Sequence, residues 1–128
     1  MTGAIKVELL YIDDCPHHEP LALVLRSLLD EAGRDEHIVQ RRIVDERQAI
    51  RERFLGSPTV RINGQDVDPS AAAQIDYGLQ CRLYVTDAGL QGMPSTEWIR
   101  TGLAQAAAHR PPSGLKVETL GATTTSSA

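Results

Sequence analysis

The alternation of apolar and polar side chains predicts a strand at the start of the chain. Residues 5–12 place apolar side chains at every second position and then become apolar on both faces from Leu9 onward. This pattern is typical of a central strand whose last half is covered on both sides. Over residues 21–32 the apolar positions instead recur every three or four residues and stop at Gly33. That spacing predicts an amphipathic helix with a glycine at its end.

The start of this helix depends on Pro20. Proline is accepted in the first turn of a helix and disrupts it further in. The helix therefore begins either near Pro16, with a kink at Pro20, or after Glu19, with Pro20 as its first residue. The second alternative leaves Cys15 in a loop, away from the helix dipole.

The next segment predicts a second strand and a short helix. Residues 37–44 combine apolar positions with polar ones, which favours a partly exposed strand. Asp45 and Gln48 then have the spacing of a capping box. They predict a helix that extends through Phe54, with Ile50 and Phe54 on a shared face.

A hairpin is the strongest local signal in the chain. Asn63-Gly64 lies between the strand-like residues 59–62 and 65–68, and this dipeptide specifies a tight turn. Residues 69–94 then form a long connector with a possible short strand at 81–85, and connectors of that length are usually functional or disordered. Ser95 or Thr96 caps a last helix, in which Ile99, Leu103 and Ala106 line one face and which residues 109–112 end.

This order of elements predicts the fold class and the domain organisation. A strand, a helix and a strand give a parallel pair with a right-handed crossover, and the Asn-Gly turn makes the last two strands antiparallel. We expect an α/β fold with a mixed four-stranded sheet, helices on both faces and a long insertion at residues 69–94. One domain would occupy residues 1–110, and residues 111–128 would be a disordered tail.

Composition and charge narrow the range of partners. The chain has 128 residues, a net charge of −4, one Trp, one Phe and three Tyr, and it lacks a dense basic block, so we do not expect it to bind nucleic acid. The sequence has neither an apolar run long enough to cross a bilayer nor the pattern of a signal peptide. We therefore predict a cytoplasmic protein that does not interact with membranes, and leave its oligomeric state open.

Cys15 is the first candidate for chemistry. It lies between the predicted first strand and the predicted first helix. Unpaired N–H groups and the helix dipole favour a thiolate at such a position. His17 and His18 could supply a positive charge or a base within one turn. The alternative is a small, inert residue at the end of a buried strand. Since cytoplasmic thiols are kept reduced, a transient disulfide is favoured over a structural one.

Two motifs resemble those of the thioredoxin superfamily, and the resemblance covers residues 5–108. Cys15-Pro16-His17-His18 is similar to the Cys-Pro-His-Cys of bacterial disulfide oxidases, with His18 in place of the second cysteine. The second motif, Ser57-Pro58-Thr59, lies where that superfamily has a cis proline. The chain also resembles small actinobacterial thioredoxin-like proteins, some of which are labelled alkylmercury lyases.

The resemblance implies roles for these residues. Cys15 would be the nucleophile, with His18 facing it, and Pro58 would shape a groove in which the backbone of Ser57 and Thr59 pairs with an incoming peptide or thiol. His18 cannot resolve a mixed disulfide as a second cysteine does.

The role of the other cysteine is open. In the arrangement that the resemblance implies, Cys81 could approach Cys15 and act as the resolving thiol. In the alternative, Cys81 packs as a small apolar residue next to Leu83.

Three functions follow from these candidates. In the first, a thiol-dependent redox protein uses Cys15 on a disulfide, a peroxide or an electrophile, and Cys81 or an external thiol such as mycothiol or glutathione resolves the product. In the second, Cys15 and Cys81 hold mercury or another soft metal ion, and Asp13 or Asp14 protonates a leaving carbanion. The third is a non-catalytic adaptor. We expect no cofactor, and the spacing of a structural zinc site is absent.

Overall fold

The computed structural model describes residues 4–108. Within this range six strands, three α-helices and one 3-10 turn follow one another. They are β1 (Val7–Tyr11), α1 (His18–Glu31), β2 (Ile38–Arg42), α2 (Glu46–Arg51), β3 (Thr59–Ile62), β4 (Gln65–Asp66), the 3-10 turn (Ala71–Ala73), β5 (Tyr84–Thr86), β6 (Gly89–Gln91) and α3 (Thr96–Ala108).

The first four strands form the predicted mixed sheet. Their order is β2-β1-β3-β4, with β1 and β2 parallel and the other neighbours antiparallel. Leu9 lies opposite Gln40 on one side and opposite Val60 on the other. The prediction of a mixed four-stranded sheet with a parallel first pair is confirmed.

Helices cover both faces of this sheet, as expected. On one face Leu9 belongs to a core cluster that includes buried leucines of α1 and α3. On the opposite face Leu10 packs in a second cluster with Ala49 of α2 and with Phe54. Both leucines are fully buried, so the end of β1 is covered on both sides, as its apolar pattern predicted.

The Asn63-Gly64 turn is also confirmed. Both residues have positive φ, 53° and 82°, which is the geometry that this dipeptide accepts in a tight hairpin. The following strand is shorter than predicted and ends at Asp66 rather than Asp68. Its end coincides with a local bend, in which the Asp66 carboxylate accepts a hydrogen bond from the Asp68 N–H at 2.9 Å.

Helix α1 begins between the two predicted alternatives. His17 is its cap residue, His18 is its first residue, and Pro20 lies in the first turn, where proline needs no kink. The Leu21 N–H donates to the His17 carbonyl at 3.0 Å and closes that turn. Cys15 therefore lies outside the helix.

Two other predictions need correction. Asp45 caps α2 as expected and accepts from the Gln48 N–H at 2.7 Å, but the helix ends at Arg51 and does not reach Phe54. Arg53 has a φ of 55°, which turns the chain out of the helix. Ile50 is consequently 60% exposed while Phe54 is buried, so these two side chains do not share a face.

The connector over residues 69–94 is more ordered than its sequence indicated. The strand predicted at residues 81–85 is instead β5, and it pairs with β6 in a separate antiparallel hairpin. In α3 the Ser95 hydroxyl accepts from the Glu97 N–H at 3.1 Å, and Ile99 and Leu103 are buried as predicted. The predicted helix end at 109–112 and the tail at 111–128 lie outside the described residues. Over residues 4–108, no helix is both long and apolar enough to span a bilayer.

Candidate functional site

Cys15 lies in the turn that joins β1 to α1. Asp14 adopts a positive φ of 63° just before it, and the Cys15 carbonyl accepts from the His18 N–H at 3.4 Å. The cysteine is half-buried, and its thiol is not in a disulfide. The expected direct placement at the helix terminus is therefore not found, because His17 is the cap residue and Cys15 precedes it by two positions.

Ser57, Pro58 and Thr59 lead into β3 and are all buried. The peptide bond between Ser57 and Pro58 is cis, as the resemblance implied. The Ser57 hydroxyl accepts a hydrogen bond from the Ile12 N–H at 3.0 Å, at the end of β1. The Thr59 hydroxyl donates to the Gly56 carbonyl at 2.6 Å. Both hydroxyls thus serve internal contacts. The Ser57 N–H and carbonyl are also bonded, to the backbone on either side of Cys81, so the expected pairing of the Ser57 backbone with an incoming peptide is not found.

Cys81 lies beside Ser57. The two residues form an isolated parallel β-bridge, in which the Ser57 N–H donates to the Gln80 carbonyl at 2.8 Å and the Arg82 N–H donates to the Ser57 carbonyl at 2.9 Å. Cys81 is exposed and is not in a disulfide. Leu83 is also 67% exposed, so the alternative in which Cys81 packs beside it as an apolar core residue is wrong.

Arg82 fixes the backbone next to Cys81. Arg82 is 5% exposed, and its guanidinium donates to the Asp66 carboxylate at 2.7 Å and to the Thr59 hydroxyl at 3.0 Å. A second carboxylate, that of Asp68, lies 3.4 Å away, and the guanidinium carbon lies 4.4 Å from the centroid of the Tyr84 ring. We call Arg82, Asp66, Asp68 and Tyr84 the buried arginine network.

The buried arginine network also contacts the cis-proline segment. The Tyr84 hydroxyl donates a hydrogen bond to the Pro58 carbonyl. Burial raises the pKa of the Tyr84 phenol, so this group stays a neutral donor. Sequence reasoning missed these residues. In the structure Cys81, Arg82, Leu83 and Tyr84 alternate between exposed and buried, which is the period of an extended strand. The sequence carries no signal of this alternation, because a charged arginine occupies a buried position and a leucine an exposed one.

The two histidines are held by separate contacts. The His18 ring stacks on Tyr11 with centroids 3.6 Å apart, and its Nε2 lies 2.6 Å from the Gln40 side-chain oxygen. His18 is thus engaged with β1 and β2. The His17 ring lies against Gly92, so closely that a Cβ added to that glycine would come within 2.3 Å of His17 Nε2. These contacts connect the Cys15 turn to the sheet and to the segment that follows β6.

The acidic residues of the turn do not build a metal site. Asp13 is ion-paired with Arg42 at 3.2 Å, and both side chains are more than half exposed. Asp14 is exposed as well. Within residues 4–108, no group of three or more His, Cys, Asp or Glu side chains converges on a point that could hold a metal ion.

A groove of about 640 Å³ lies elsewhere, between the β3–β4 hairpin and α3. Trp98, Gly102 and Asn63 are among its lining residues, and neither cysteine lines it. Its position separates it from the thiols, so the candidate site remains the surface around Cys15, Ser57 and Cys81.

Comparison of the chain with protein-family models, with curated proteins and with solved structures finds no significant match. The function is therefore inferred from the contacts that surround the two cysteines.

Proposed function

We propose that this chain is a cytoplasmic thiol-dependent redox protein with a thioredoxin-like fold, in which Cys15 is the nucleophile and Cys81 the resolving thiol. One observation carries the proposal. Ser57 contacts the end of β1 through its hydroxyl, three residues before Cys15, and its backbone pairs with the residues on both sides of Cys81. A single buried residue thus ties both cysteine-bearing segments to one place.

The accessibility of the thiols supports the same function. Cys81 is exposed, Cys15 is half-buried, and both are free, as a thiol that meets an external substrate requires. The position of the second cysteine in the dithiol motif is taken by His18, whose ring is engaged with Tyr11 and Gln40. A resolving thiol must therefore come from another segment, and Cys81 is the second cysteine of the chain.

The proposed reaction balances as a two-electron exchange. The Cys15 thiolate attacks one sulfur of a substrate disulfide, forms a mixed disulfide and releases the other half as a thiolate, which takes up a proton. The Cys81 thiolate then attacks the Cys15 sulfur, closes a Cys15–Cys81 disulfide and releases the second half of the substrate. Two molecules of an external thiol such as glutathione or mycothiol return the protein to its dithiol form and leave as their own disulfide.

The test is oxidation by glutathione disulfide, followed by intact mass under non-reducing conditions. We expect wild type to lose two hydrogens and retain no glutathione, because Cys81 displaces it from Cys15. Cys81→Ser should instead accumulate one glutathione on Cys15. In Cys15→Ser the oxidant should be consumed much more slowly. Glutathione that persists on wild-type Cys15, or equal rates in wild type and Cys15→Ser, would refute the proposal.

The Ser57→Ala variant tests whether Ser57 positions the two cysteines, independently of how reactive each thiol is. The variant loses the hydroxyl that accepts from Ile12 and keeps the backbone bonds to Gln80 and Arg82. We expect the first step, attack by Cys15 on glutathione disulfide, to keep its rate and the closure of the internal disulfide to slow. An unchanged closure rate in a folded Ser57→Ala protein would show that Ser57 does not position the two cysteines.

The adaptor and metal-handling alternatives make different demands. If the protein were an adaptor, its Cys15→Ser variant would bind the partner as well as wild type does. The redox proposal instead requires that this variant no longer forms the mixed disulfide. Organomercurial cleavage needs sulfurs that converge on the metal with a proton-donating carboxyl group beside them. The Asp13 carboxylate is ion-paired with Arg42, the Asp14 side chain is exposed, and within residues 4–108 no three side chains converge as a metal site. In the described part of the chain, no contact favours either alternative over disulfide exchange.

A further inference from the structure

The hairpin that follows Cys81 exposes an apolar stripe. Leu83, Val85 and Leu90 are 67%, 75% and 65% exposed, and we call these three residues the hairpin stripe. Val85 lies directly opposite Leu90 in the register of β5 and β6, so their side chains share one face. Leu83 precedes Val85 by two positions and points to that same face, because successive side chains of an extended chain alternate.

The hairpin stripe continues from the thiol. Cys81 precedes Leu83 by two positions, and both are exposed, while the intervening Arg82 is buried in its network. Exposed positions thus run from the sulfur along one face of the hairpin at the period of a strand. An extended polypeptide has the same period, so its alternate side chains match the spacing of these residues.

Both ends of the hairpin are fixed to the candidate site. Its first end begins at Cys81, which is bridged to Ser57. At its second end Gly92 packs under the His17 ring, two residues from Cys15. The hairpin stripe is therefore held in place relative to both cysteines, as a docking surface for a disulfide substrate requires.

Size and charge favour a transient peptide over other occupants. A stable dimer buries roughly 800 Å² on each partner, contributed by about twenty residues or more, and three side chains fall far short of that. Residues 83–92 contain neither Lys nor Arg and include Asp87. A surface without basic residues has no attraction for anionic lipids.

We propose that the hairpin stripe binds an extended apolar polypeptide segment that flanks the substrate disulfide, so that protein disulfides are preferred over small disulfides. This inference rests on the proposed redox function. The contact would act before and during the attack by Cys15, when the substrate cysteine is held near the sulfurs and its neighbours lie along the hairpin. Binding energy from these side chains would raise the rate of mixed-disulfide formation.

The test compares three oxidants of the reduced full-length protein. The first is glutathione disulfide. The second is a mixed disulfide of glutathione with the peptide acetyl-Cys-Ala-Leu-Ala-Val-amide, and the third carries Asn and Ser in place of its Leu and Val. We expect wild type to react about tenfold faster with the apolar peptide than with the polar one. Tenfold is about 1.4 kcal/mol, which corresponds to partial burial of the two apolar side chains, roughly 55 Å² of apolar surface in all.

The variants assign this preference to the hairpin. The Leu83→Ser/Val85→Ser protein should lose the preference for the apolar peptide and keep its rate with glutathione disulfide within about twofold. Leu23→Ser is the matched control, because Leu23 is 74% exposed on α1 and outside the hairpin stripe. It should behave as wild type. Since all three leucine or valine side chains are exposed, these substitutions leave the buried core intact.

The possible outcomes are distinguishable. A wild type that reacts equally with both peptides, or a double variant that keeps the preference, would overturn the docking inference. If neither the peptides nor glutathione disulfide oxidise the reduced protein, the proposed redox function fails instead. A wild type whose sedimentation mass rises with concentration, and whose rise the double variant abolishes, would assign the hairpin stripe to self-association and overturn the inference as well.

Discussion

Replacing Arg82 tests how the residues next to Cys81 are held. Arg82 is 5% exposed, and its guanidinium contacts Asp66 through two nitrogens at 2.7 and 3.3 Å, with Thr59 and Asp68 as further partners. In Arg82→Met these two carboxylates lose their cation in a buried setting. Removing one partner of a buried ion pair costs about 3–5 kcal/mol, because the other partner stays desolvated. That is a large share of the ~5–15 kcal/mol by which a typical domain is stable.

Two further variants set the upper and lower comparison for the unfolding free energy lost in Arg82→Met. Arg82→Lys keeps the charge but not the forked geometry, and should lose about 1–3 kcal/mol of unfolding free energy. Arg100 provides the matched control, since it pairs with Glu31 at 3.1 Å but both side chains are about half exposed. Arg100→Met should change the unfolding free energy by less than about 0.5 kcal/mol.

Urea denaturation followed by circular dichroism measures these differences at neutral pH. The expected order of unfolding free energy is wild type and Arg100→Met together, then Arg82→Lys, then Arg82→Met. If Arg82→Met lies within about 1 kcal/mol of Arg100→Met, the buried arginine network contributes no more than a surface ion pair. The reasoning from its burial and geometry would then be refuted.

Three further predictions concern the stability of the protein at acidic pH, the core cluster around Phe54 and the turn that contains Cys15. Hydrogen bonds from Arg34 lower the pKa of Glu36 to about 2, so its stabilisation is complete above about pH 4.5 and is lost as the pH falls towards 2. Urea unfolding should show a smaller acid loss for Glu36→Gln than for wild type, and equal losses would contradict the pairing. Phe54→Ala, at a fully buried position, should lower the unfolding free energy by about 3–5 kcal/mol, and a loss below about 1 kcal/mol would argue against its core placement. Gly92→Ala, whose methyl group would approach His17 Nε2 at 2.3 Å, should cost about 1 kcal/mol in wild type and almost nothing in a His17→Ala background. A double-mutant cycle measures that coupling, and additive costs would rule out the contact.

The parts of the fold that could be predicted are those set by local chemistry. Asn63-Gly64 carries its own turn geometry, and Asp45 needs only the N–H three residues ahead to cap α2. The burial of Leu9 and Leu10 on opposite faces follows from consecutive apolar positions in one strand. Each of these signals lies within a few residues of the structure it specifies.

The parts that were missed depend on distant residues or on single backbone angles. The end of α2 is marked by the positive φ of Arg53, a residue type with no preference for that conformation. The bridge between Ser57 and Cys81 joins residues 24 positions apart, and the pairing of Arg82 with Asp66 joins residues 16 positions apart. No periodicity in the sequence reports such contacts.

The two-stranded hairpin has a consequence for how the molecule opens. Tyr84 of the hairpin is buried, but Val85 and Leu90 face solvent. Few apolar contacts therefore stabilise the pairing of β5 with β6. Regions of this kind open locally at a small fraction of the global unfolding free energy. Amide hydrogens of β5 and β6 should therefore exchange with deuterium well before those of β1 and β3. The backbone bonds between Ser57 and the residues on both sides of Cys81 lie outside the hairpin, so such openings would separate β5 from β6 without displacing Cys81 from Ser57.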